Sequence, residues 1–244
     1  MSAVTLHLGD ALDILPTLPA QSVNAIITDL PYGTTACKWD TVIPFAPMWE
    51  QVKRILKPRG VFVTTASQPF TSALVMSNLE WFRYEWVWEK NLDTGHLNAH
   101  IRPMLKHESI IVFSTGNETY NPQGIKRYEK INKRGGNGDN YGKSGLQNFQ
   151  EFTNYPRSLL QFNVHREVEQ HPTQKPTALY RYLILTYTNP GDTVLDFCAG
   201  SGTTGVAAID TGRDCILVER DPEYHAIAQR RIAAAQMQPR LEGV

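Results

Sequence analysis

A carboxylate, a carbonyl next to a proline and an aromatic ring stand together near the start of this sequence. An apolar run, residues 25–27, leads through Thr28 into the segment DLPYG, residues 29–33. Such a run is typical of a buried parallel strand, and Pro31 and Gly33 mark its end. Because open α/β sheets bind ligands at the carboxyl ends of their strands, this segment is a candidate site. A plain strand end followed by a turn is the alternative.

A glycine-rich turn far downstream could hold a nucleoside. Residues 196–205 read DFCAGSGTTG and join a predicted strand to a predicted helix, which is the context that nucleotide-binding turns require. Gly200, Gly202 and Gly205 also satisfy the G-x-G-x-x-G pattern, so a nicotinamide enzyme stays open as a class. Glu219 ends the next predicted strand, where its carboxylate can accept the hydroxyls of a ribose.

Asp196 favours a different cofactor from a dinucleotide. A pyrophosphate binds best at bare amides and a helix amino terminus, with no carboxylate nearby. A carboxylate at the mouth of the turn suits a ligand with a positive end, such as the ammonium and sulfonium of S-adenosylmethionine. Ser201, Thr203 and Thr204 could then bind the carboxylate of that ligand. The structural alternatives are glycines that allow close packing and a Glu219 that caps a helix.

Strand and helix signals alternate along the chain and would position both stretches. The pattern predicts strands at 4–8, 25–27, 61–65, 81–90, 109–114, 193–197 and 215–218, and helices at 11–15, 45–56, 69–79, 176–187, 203–211 and 222–235. This rhythm predicts an α/β fold with a Rossmann-like, doubly wound and mostly parallel sheet. On the strand at 81–90, Tyr84, Trp86 and Trp88 share one face, which is more typical of a core than of a ligand platform.

Composition sets the class of protein. The chain has 244 residues, zero formal net charge and 41% hydrophobic residues, as expected of a globular protein. No apolar run approaches a membrane span, and the amino terminus lacks the features of a signal peptide. Three separated cysteines, Cys37, Cys198 and Cys215, predict free thiols, a reducing cytoplasmic compartment and no metal site.

Three motifs together resemble the amino-directed, S-adenosylmethionine-dependent DNA methyltransferases. The segment Asp29-Leu30-Pro31-Tyr32 resembles their D-P-P-Y catalytic motif, and residues 196–202 resemble their D-x-F-x-G-S-G cofactor motif. Residues 171–176, HPTQKP, are similar to the H-P-T-x-K-P segment that precedes the cofactor strand. The motif order resembles that of the β class, and the resemblance covers about residues 4–115 and 168–235.

The resemblance implies an enzyme that uses S-adenosylmethionine, without a metal, to methylate N6 of a flipped adenine in double-stranded DNA. It also implies a homodimer and raises a restriction endonuclease as a partner. Cytosine-N4 methylation, methylation of an amide in protein or RNA, and an inactive DNA-binding relative remain alternatives. The last arises because Leu30 stands where the family usually has proline, although Pro31 still restrains the Leu30 carbonyl.

The resemblance also assigns roles to individual residues. The predicted catalytic residues are Asp29, Leu30, Pro31 and Tyr32. The predicted cofactor-binding residues are Asp10, Ala11, Asp29, Lys175, Pro176, Asp196, Phe197, Gly200, Ser201, Gly202, Thr203, Thr204, Glu219 and Arg220. We expect a catalytic half of the core at 1–90, an irregular DNA-recognition insertion at 91–167 and a cofactor-binding half at 168–244.

Positive charge is concentrated in one irregular tract of this neutral chain. Residues 121–148 carry six basic side chains against two acidic ones, with many glycines and asparagines. We expect this tract to contact DNA phosphates, with a solvated flexible loop as the alternative. The resemblance adds Trp88 and Lys90, which match a W-x-K segment that lies beside the target base in the family. The other predicted DNA contacts are Arg102, Lys106, Lys126, Arg127, Lys130, Lys133, Arg134 and Lys143.

Overall fold

The computed structural model describes residues 2–35, 40–128, 151–164 and 174–238. The predicted strands and helices are all present, with shifts of a few residues at their ends, and the structure adds three short strands at 126–127, 152–153 and 159–161 that were not predicted. In chain order the elements are β1 (Val4–Leu8), α1 (Ala11–Ile14), β2 (Val23–Asp29), α2 (Phe45–Ile55), β3 (Leu56–Ala66), α3 (Phe70–Ser77), β4 (Phe82–Thr94), β5 (Leu105–Ser114), β6 (Lys126–Arg127), β7 (Phe152–Thr153), β8 (Leu159–Gln161), α4 (Thr177–Tyr187), β9 (Thr193–Asp196), α5 (Thr203–Thr211), β10 (Asp214–Glu219) and α6 (Pro222–Met237).

An eight-stranded sheet in the order β1-β10-β9-β2-β3-β5-β4-β8 forms the centre of the fold. The first five strands in this order are parallel, β5 is antiparallel to both β3 and β4, and β8 is parallel to β4. The Rossmann-like, mostly parallel fold is therefore confirmed. β2 pairs with β9, with Ala25 opposite Val194 and Ile26 opposite Leu195, so the strands of the two motifs are direct neighbours.

Helices cover both faces of the sheet, which makes it doubly wound. Ala25 and Ile27 of β2 contribute to a core cluster shared with α4, α5 and α6. Ile26, between them in sequence, contributes to the other cluster, shared with α1, α2 and α3. Because both faces are buried, β2 has a continuous apolar run rather than an alternating pattern.

The chain divides into two compact units, residues 1–121 with 158–244 and residues 122–157. β5 and β8, which fall within the predicted insertion, are strands of the central sheet. In the smaller unit β6 pairs with β7, and the Asn154 amide donates to the Gly124 carbonyl at 2.6 Å. Among the described residues, none of the helices combines the length and the apolar character that a membrane crossing needs.

Candidate active site

A cavity of about 850 Å³ lies in the larger unit, where β2, β9 and β10 end. Its volume is within the range of about 300–1,000 Å³ that is usual for small-molecule sites. Both predicted stretches contribute to its wall, as the adjacency of β2 and β9 requires. The predicted site residues that line it are Asp10, Ala11, Asp29, Leu30, Pro31, Tyr32, Trp88, Lys90, Lys175, Asp196, Phe197, Gly200, Ser201, Thr203, Thr204, Glu219 and Arg220.

Asp29, the last residue of β2, is fixed by three side chains. Its Oδ1 accepts hydrogen bonds from the hydroxyls of Tyr32, at 2.8 Å, and Thr65. Its Oδ2 lies 2.9 Å from Nζ of Lys175. Since Thr65 is on the neighbouring strand β3 and Lys175 just precedes α4, separate elements hold this carboxylate at the edge of the cavity.

The rest of the DLPY segment is anchored by packing. The Leu30 side chain is 3% exposed and belongs to one of the core clusters. Its carbonyl receives no hydrogen bond from the residues that the structure describes. The Tyr32 ring stacks on Phe70 at 5.4 Å, and burial followed by the nearby Asp29 carboxylate raises the pKa of the Tyr32 hydroxyl. The phenol therefore stays protonated and donates to Asp29.

Asp40 organises the chain directly after this segment, and this role was not predicted from the sequence. Its carboxylate accepts the backbone N–H groups of Gly33 and Thr34 at 2.8 Å each, and of Thr35 at 2.6 Å. Burial alone would raise the pKa of Asp40, but these amides outweigh burial and lower it. An ionised Asp40 thus holds the turn that follows Tyr32.

Glu108 on β5 is a second site residue that the sequence did not reveal. It lines the cavity and lies 3.1 Å from Nζ of Lys90 and 3.1 Å from Nζ of Lys175. A charged residue directly before the apolar run at 109–114 was the available signal, but such residues are common at strand ends. Two lysines and the carboxylates of Asp29 and Glu108 therefore form one network in the wall.

Asp196 is buried at the end of β9 and bound by its neighbours. Its oxygens accept from the hydroxyls of Thr28, at 2.7 Å, and Thr204, and from the Cys198 N–H at 3.0 Å. Burial raises the pKa of Asp196 to about 6, although these hydrogen bonds oppose the shift. The Thr28–Asp196 bond ties β2 to β9, so this carboxylate joins the two halves of the site as well as facing the cavity.

Glu219 ends β10 and receives two backbone amides. Its Oε2 accepts the Gly200 N–H at 2.7 Å, and its Oε1 accepts the Asp221 N–H at 2.8 Å. A carboxylate oxygen has a second lone pair, so each oxygen can still accept a hydroxyl from a ligand. Asp10 is placed similarly at the end of β1, where it caps α1 through the Leu12 N–H and lines the cavity.

The glycines of the turn have different functions. Gly200 has φ of +51° and nothing within 4 Å of the position of a Cβ, so its backbone is open to the cavity. A Cβ on Gly202 would lie 2.9 Å from Ala228, and one on Gly205 would lie 2.7 Å from Leu217. Gly202 and Pro176, both predicted to bind the cofactor, are absent from the cavity lining. Gly202 and Gly205 allow close packing, the structural alternative for this turn.

Ser201 and Thr203 lie at the start of α5 and contact Arg231 of α6. The Arg231 guanidinium donates to the Ser201 carbonyl at 2.6 Å, to its hydroxyl at 3.0 Å and to the Thr203 hydroxyl at 3.3 Å. The Ser201 hydroxyl also donates to Gln174 at 3.3 Å. Arg231 was not predicted, and it fixes the loop from the side of the last helix.

The architecture and motifs agree with a comparison against known families. A family model described as DNA methylase matches residues 23–230, which is most of the chain. The chain belongs to this DNA methylase family. The resemblance that the three motifs predicted is therefore confirmed.

Curated relatives match this methylase over nearly its full length. It is 32% identical to the DNA adenine methyltransferase YhdJ of Escherichia coli, over 96% of this chain and 84% of the relative. It is 28% identical to the type II methyltransferase M.HpaI of Haemophilus parainfluenzae, over 92% of this chain and 72% of the relative.

Solved structures share the fold of the methylase. The complex of M1.HpyAVI with SAM has a TM-score of 0.64 and 22% identity, covering 93% of this chain and 98% of that chain. The cytosine-N4-specific PvuII DNA methyltransferase has a TM-score of 0.69 and 19% identity, covering 95% and 86%. These likenesses show the fold, and because a cytosine-N4-specific enzyme has it, the fold alone does not indicate the target base.

The predicted DNA contacts of the methylase fall into three groups. Trp88 and Lys90 line the cavity; Trp88 is 1% exposed and belongs to the core, as its stripe predicted. Arg102 and Lys106 are exposed and absent from the cavity lining, as are Lys126 and Arg127 of the smaller unit. The remaining predictions, Lys130, Lys133, Arg134 and Lys143, lie outside the described residues, as do Cys37 and residues 171–173.

Among the described residues, no group of three or more histidine, cysteine, aspartate or glutamate side chains could hold a metal ion. Burial raises the pKa of both described cysteines, Cys198 and Cys215. A thiol with a raised pKa is a poor nucleophile because the thiolate is the reactive form. These two cysteines therefore behave as small apolar residues.

Proposed function

We propose that this methylase transfers the methyl group of S-adenosylmethionine to N6 of an adenine in double-stranded DNA. The observation that carries the proposal is the presence, in one cavity, of the Asp29 carboxylate, the Leu30 carbonyl and the glycine-rich turn after β9. The first two can accept the N–H groups of an amine, and the turn can hold the methyl donor.

The residues present fit S-adenosylmethionine. Glu219 keeps lone pairs for ribose hydroxyls, and the open backbone at Gly200 leaves room for a ligand against the turn. Asp196 supplies a negative field that favours the cationic groups of the ligand, even though its oxygens already have protein donors. Bound there, the cofactor supplies an electrophilic methyl group on a positively charged sulfur.

The chemistry asked of the protein is to make an aromatic amine nucleophilic. The nitrogen lone pair of adenine N6 is spread into the ring, and hydrogen bonds from its N–H groups to Asp29 and Leu30 gather it on the nitrogen. The nitrogen would then take the methyl group from a donor held in line with it, the carbon–sulfur electron pair would stay on the sulfur, and the surplus N–H proton would pass to water. Positioning of the two reactants accounts for much of the rate increase.

The target base must leave the duplex to reach Asp29. Flipping costs a few kcal/mol, and stacking on an aromatic ring recovers about 1–3 kcal/mol per base. Tyr32 is the ring next to Asp29, and Trp88 and Lys90 line the same cavity. We assign these residues to the base, with Arg102, Lys106 and the basic tract from Lys126 to Lys143 as contacts to the DNA outside the cavity.

Adenine is favoured over cytosine by the sequence of the catalytic segment. Asp-led segments ending in Pro-Tyr go more often with adenine, and the relative from Escherichia coli is named an adenine methyltransferase. A homodimer, action beside a restriction endonuclease, a cytoplasmic location and a recognition role for the 91–167 region are further parts of the proposal, and they rest on the family resemblance.

The identity of the product tests the proposal. Unmethylated plasmid DNA is incubated with the purified chain and methyl-labelled S-adenosylmethionine, digested to nucleosides and examined by mass spectrometry. N6-methyladenine carrying the label is expected, and sequencing of the same DNA gives the recognition sequence. Label in N4-methylcytosine would make the enzyme a cytosine methylase, and label in neither base would exclude a DNA substrate of this kind.

A further inference from the structure

Glu108 stands between two lysines in the wall of the cavity. Its side chain is 16% exposed, its Oε1 lies 3.1 Å from Nζ of Lys90, and its Oε2 lies 3.1 Å from Nζ of Lys175. Burial alone would raise the pKa of Glu108, but Lys175 and Lys90 outweigh burial and lower it. Glu108 is therefore an anion that belongs to none of the three predicted motifs.

Lys175 is shared between Glu108 and the catalytic segment. Its Nζ lies 2.9 Å from Oδ2 of Asp29 and 3.1 Å from Oε2 of Glu108. Burial alone would lower the pKa of Lys175, but the two carboxylates outweigh it and raise the pKa above its ordinary value. The four charged groups, two cations and two anions, sum to zero.

The division of Lys175 between two carboxylates affects how well Asp29 can accept a hydrogen bond from a target amine. Oδ1 of Asp29 already accepts the hydroxyls of Tyr32 and Thr65. Among the described residues, Lys175 is the one hydrogen-bond or ion-pair partner of Oδ2. This oxygen therefore keeps a second lone pair for the amine, but the nearby ammonium weakens it as an acceptor. A lysine paired with Asp29 alone would neutralise the carboxylate charge and weaken both oxygens as acceptors. A second carboxylate at 3.1 Å gives the ammonium another partner.

We propose that Glu108 is a positioning residue for methyl transfer, which shares the charge of Lys175 with Asp29 and so keeps Oδ2 a strong acceptor for an N–H of the target amine. This inference rests on the proposed function, because it requires that Asp29 receives an amine. The same carboxylate keeps the charge network neutral next to the sulfonium of the cofactor. Without Glu108, the network would carry one uncompensated positive charge.

Rate measurements on Glu108→Gln test the positioning role of Glu108. At saturating cofactor and DNA, single-turnover methylation should slow by about 10- to 100-fold, the effect of one charge-assisted hydrogen bond on a barrier. The KM for DNA should change little. Glu108→Asp keeps the charge and should recover much of the rate. Glu85→Gln on β4 is the matched control, since Glu85 is an exposed sheet glutamate outside the cavity lining, and its rate should equal that of the wild type.

The double variant Glu108→Gln with Lys175→Gln separates positioning from simple damage. If Lys175 weakens Asp29 as an acceptor once Glu108 is lost, removing the lysine charge should make the double variant faster than Glu108→Gln alone. A purely structural role predicts that the second substitution slows the enzyme further. A double variant as slow as, or slower than, Glu108→Gln overturns the proposal. The double variant also restores zero net charge, so it is suited to the comparison if Glu108→Gln folds poorly.

Cofactor binding without turnover tests the charge argument. Titration calorimetry without DNA gives the affinities for S-adenosylmethionine and for S-adenosylhomocysteine, which lacks the sulfonium charge. The preference for the charged ligand should fall several-fold in Glu108→Gln and stay unchanged in Glu85→Gln. An unchanged preference in Glu108→Gln overturns this part. Absence of methyl transfer by the wild type would instead refute the proposed function. The comparison of cofactor affinities could still be interpreted in that case, because it does not depend on turnover.

Discussion

The two ends of the cavity are held together by different kinds of contact. At the catalytic end, Asp29 is fixed by side chains that start from separate elements, and one of them is a lysine. At the cofactor end, Glu219 is fixed by backbone amides, and Asp196 is fixed by the hydroxyls of two short threonine side chains and by one backbone amide. Long side chains can change partners at little cost, whereas a turn fixed by its own backbone cannot. The cofactor end is thus preformed, and the catalytic end can rearrange when a base arrives.

The Asp29→Ala variant tests this difference between the two ends of the cavity, and we expect the largest effect from it. Methyl transfer should fall by more than about 1,000-fold, since the chief acceptor for the amine is lost. Affinity for S-adenosylmethionine should stay within a few-fold, because the cofactor turn does not depend on Asp29. Lys175 keeps Glu108 as a partner, so the fold should survive.

Labelled-methyl incorporation measures the rate of the Asp29→Ala variant, and calorimetry measures its cofactor affinity. Asp13→Ala, at an exposed position of α1, is the matched control and should behave as the wild type. Continued transfer of label to duplex DNA by Asp29→Ala would remove Asp29 from the catalytic role. A parallel loss of cofactor binding would show that the two ends are not separable.

The second test is the converse substitution, Glu219→Gln at the cofactor end. A neutral amide has one acceptor oxygen in place of two charged ones, so affinity for S-adenosylmethionine should fall by about 10- to 100-fold. The rate at saturating cofactor should stay within a few-fold of the wild type, because Glu219 does not contact the amine. Titration calorimetry and single-turnover rates give both values.

Glu223→Gln, at an exposed residue in the first turn of α6, serves as the control for Glu219→Gln. The division between the two ends would be contradicted if Glu219→Gln bound the cofactor normally. It would also be contradicted if the methylation rate of Glu219→Gln fell sharply even at saturating S-adenosylmethionine. Together with Asp29→Ala, this variant forms a pair in which each substitution should damage one function and spare the other.

The same division explains what the sequence could predict. The strands that carry Asp29 and Asp196 have continuous apolar runs, and their glycine and proline signals are local, so the fold and both motifs were readable. Glu108 was not, because its lysine partners are distant in sequence. Asp40 was not either, because its partners are nearby backbone amides, which no residue type signals. Lys175 was assigned to the cofactor by resemblance, and its contact with Asp29 follows from the packing of α4 against the sheet. Gly202 illustrates a limit of prediction from sequence, because a turn motif does not show which glycine faces a ligand and which packs against Ala228.

The last and smallest effect concerns Asp196, which belongs to both ends through its bond to Thr28. Burial raises its pKa from 3.8 to about 6, so the folded protein binds this proton more tightly than the unfolded chain. By linkage, the free energy of unfolding falls as pH rises from about 4 to about 6, and this contribution is flat above that window. Asp196→Asn lacks this titration, and each tenfold difference in proton affinity is worth about 1.4 kcal/mol.

Denaturant unfolding of the wild type and Asp196→Asn at a series of pH values measures the difference. The stability of the variant relative to the wild type should increase by about 1–2 kcal/mol between pH 4 and pH 6 and then stay constant. Asp192→Asn, in the turn before β9, is the control and should track the wild type through this window. A constant difference between Asp196→Asn and the wild type would mean that the carboxylate remains ionised throughout. In that case the hydrogen bonds from Thr28, Thr204 and the Cys198 N–H would outweigh the effect of burial on this carboxylate.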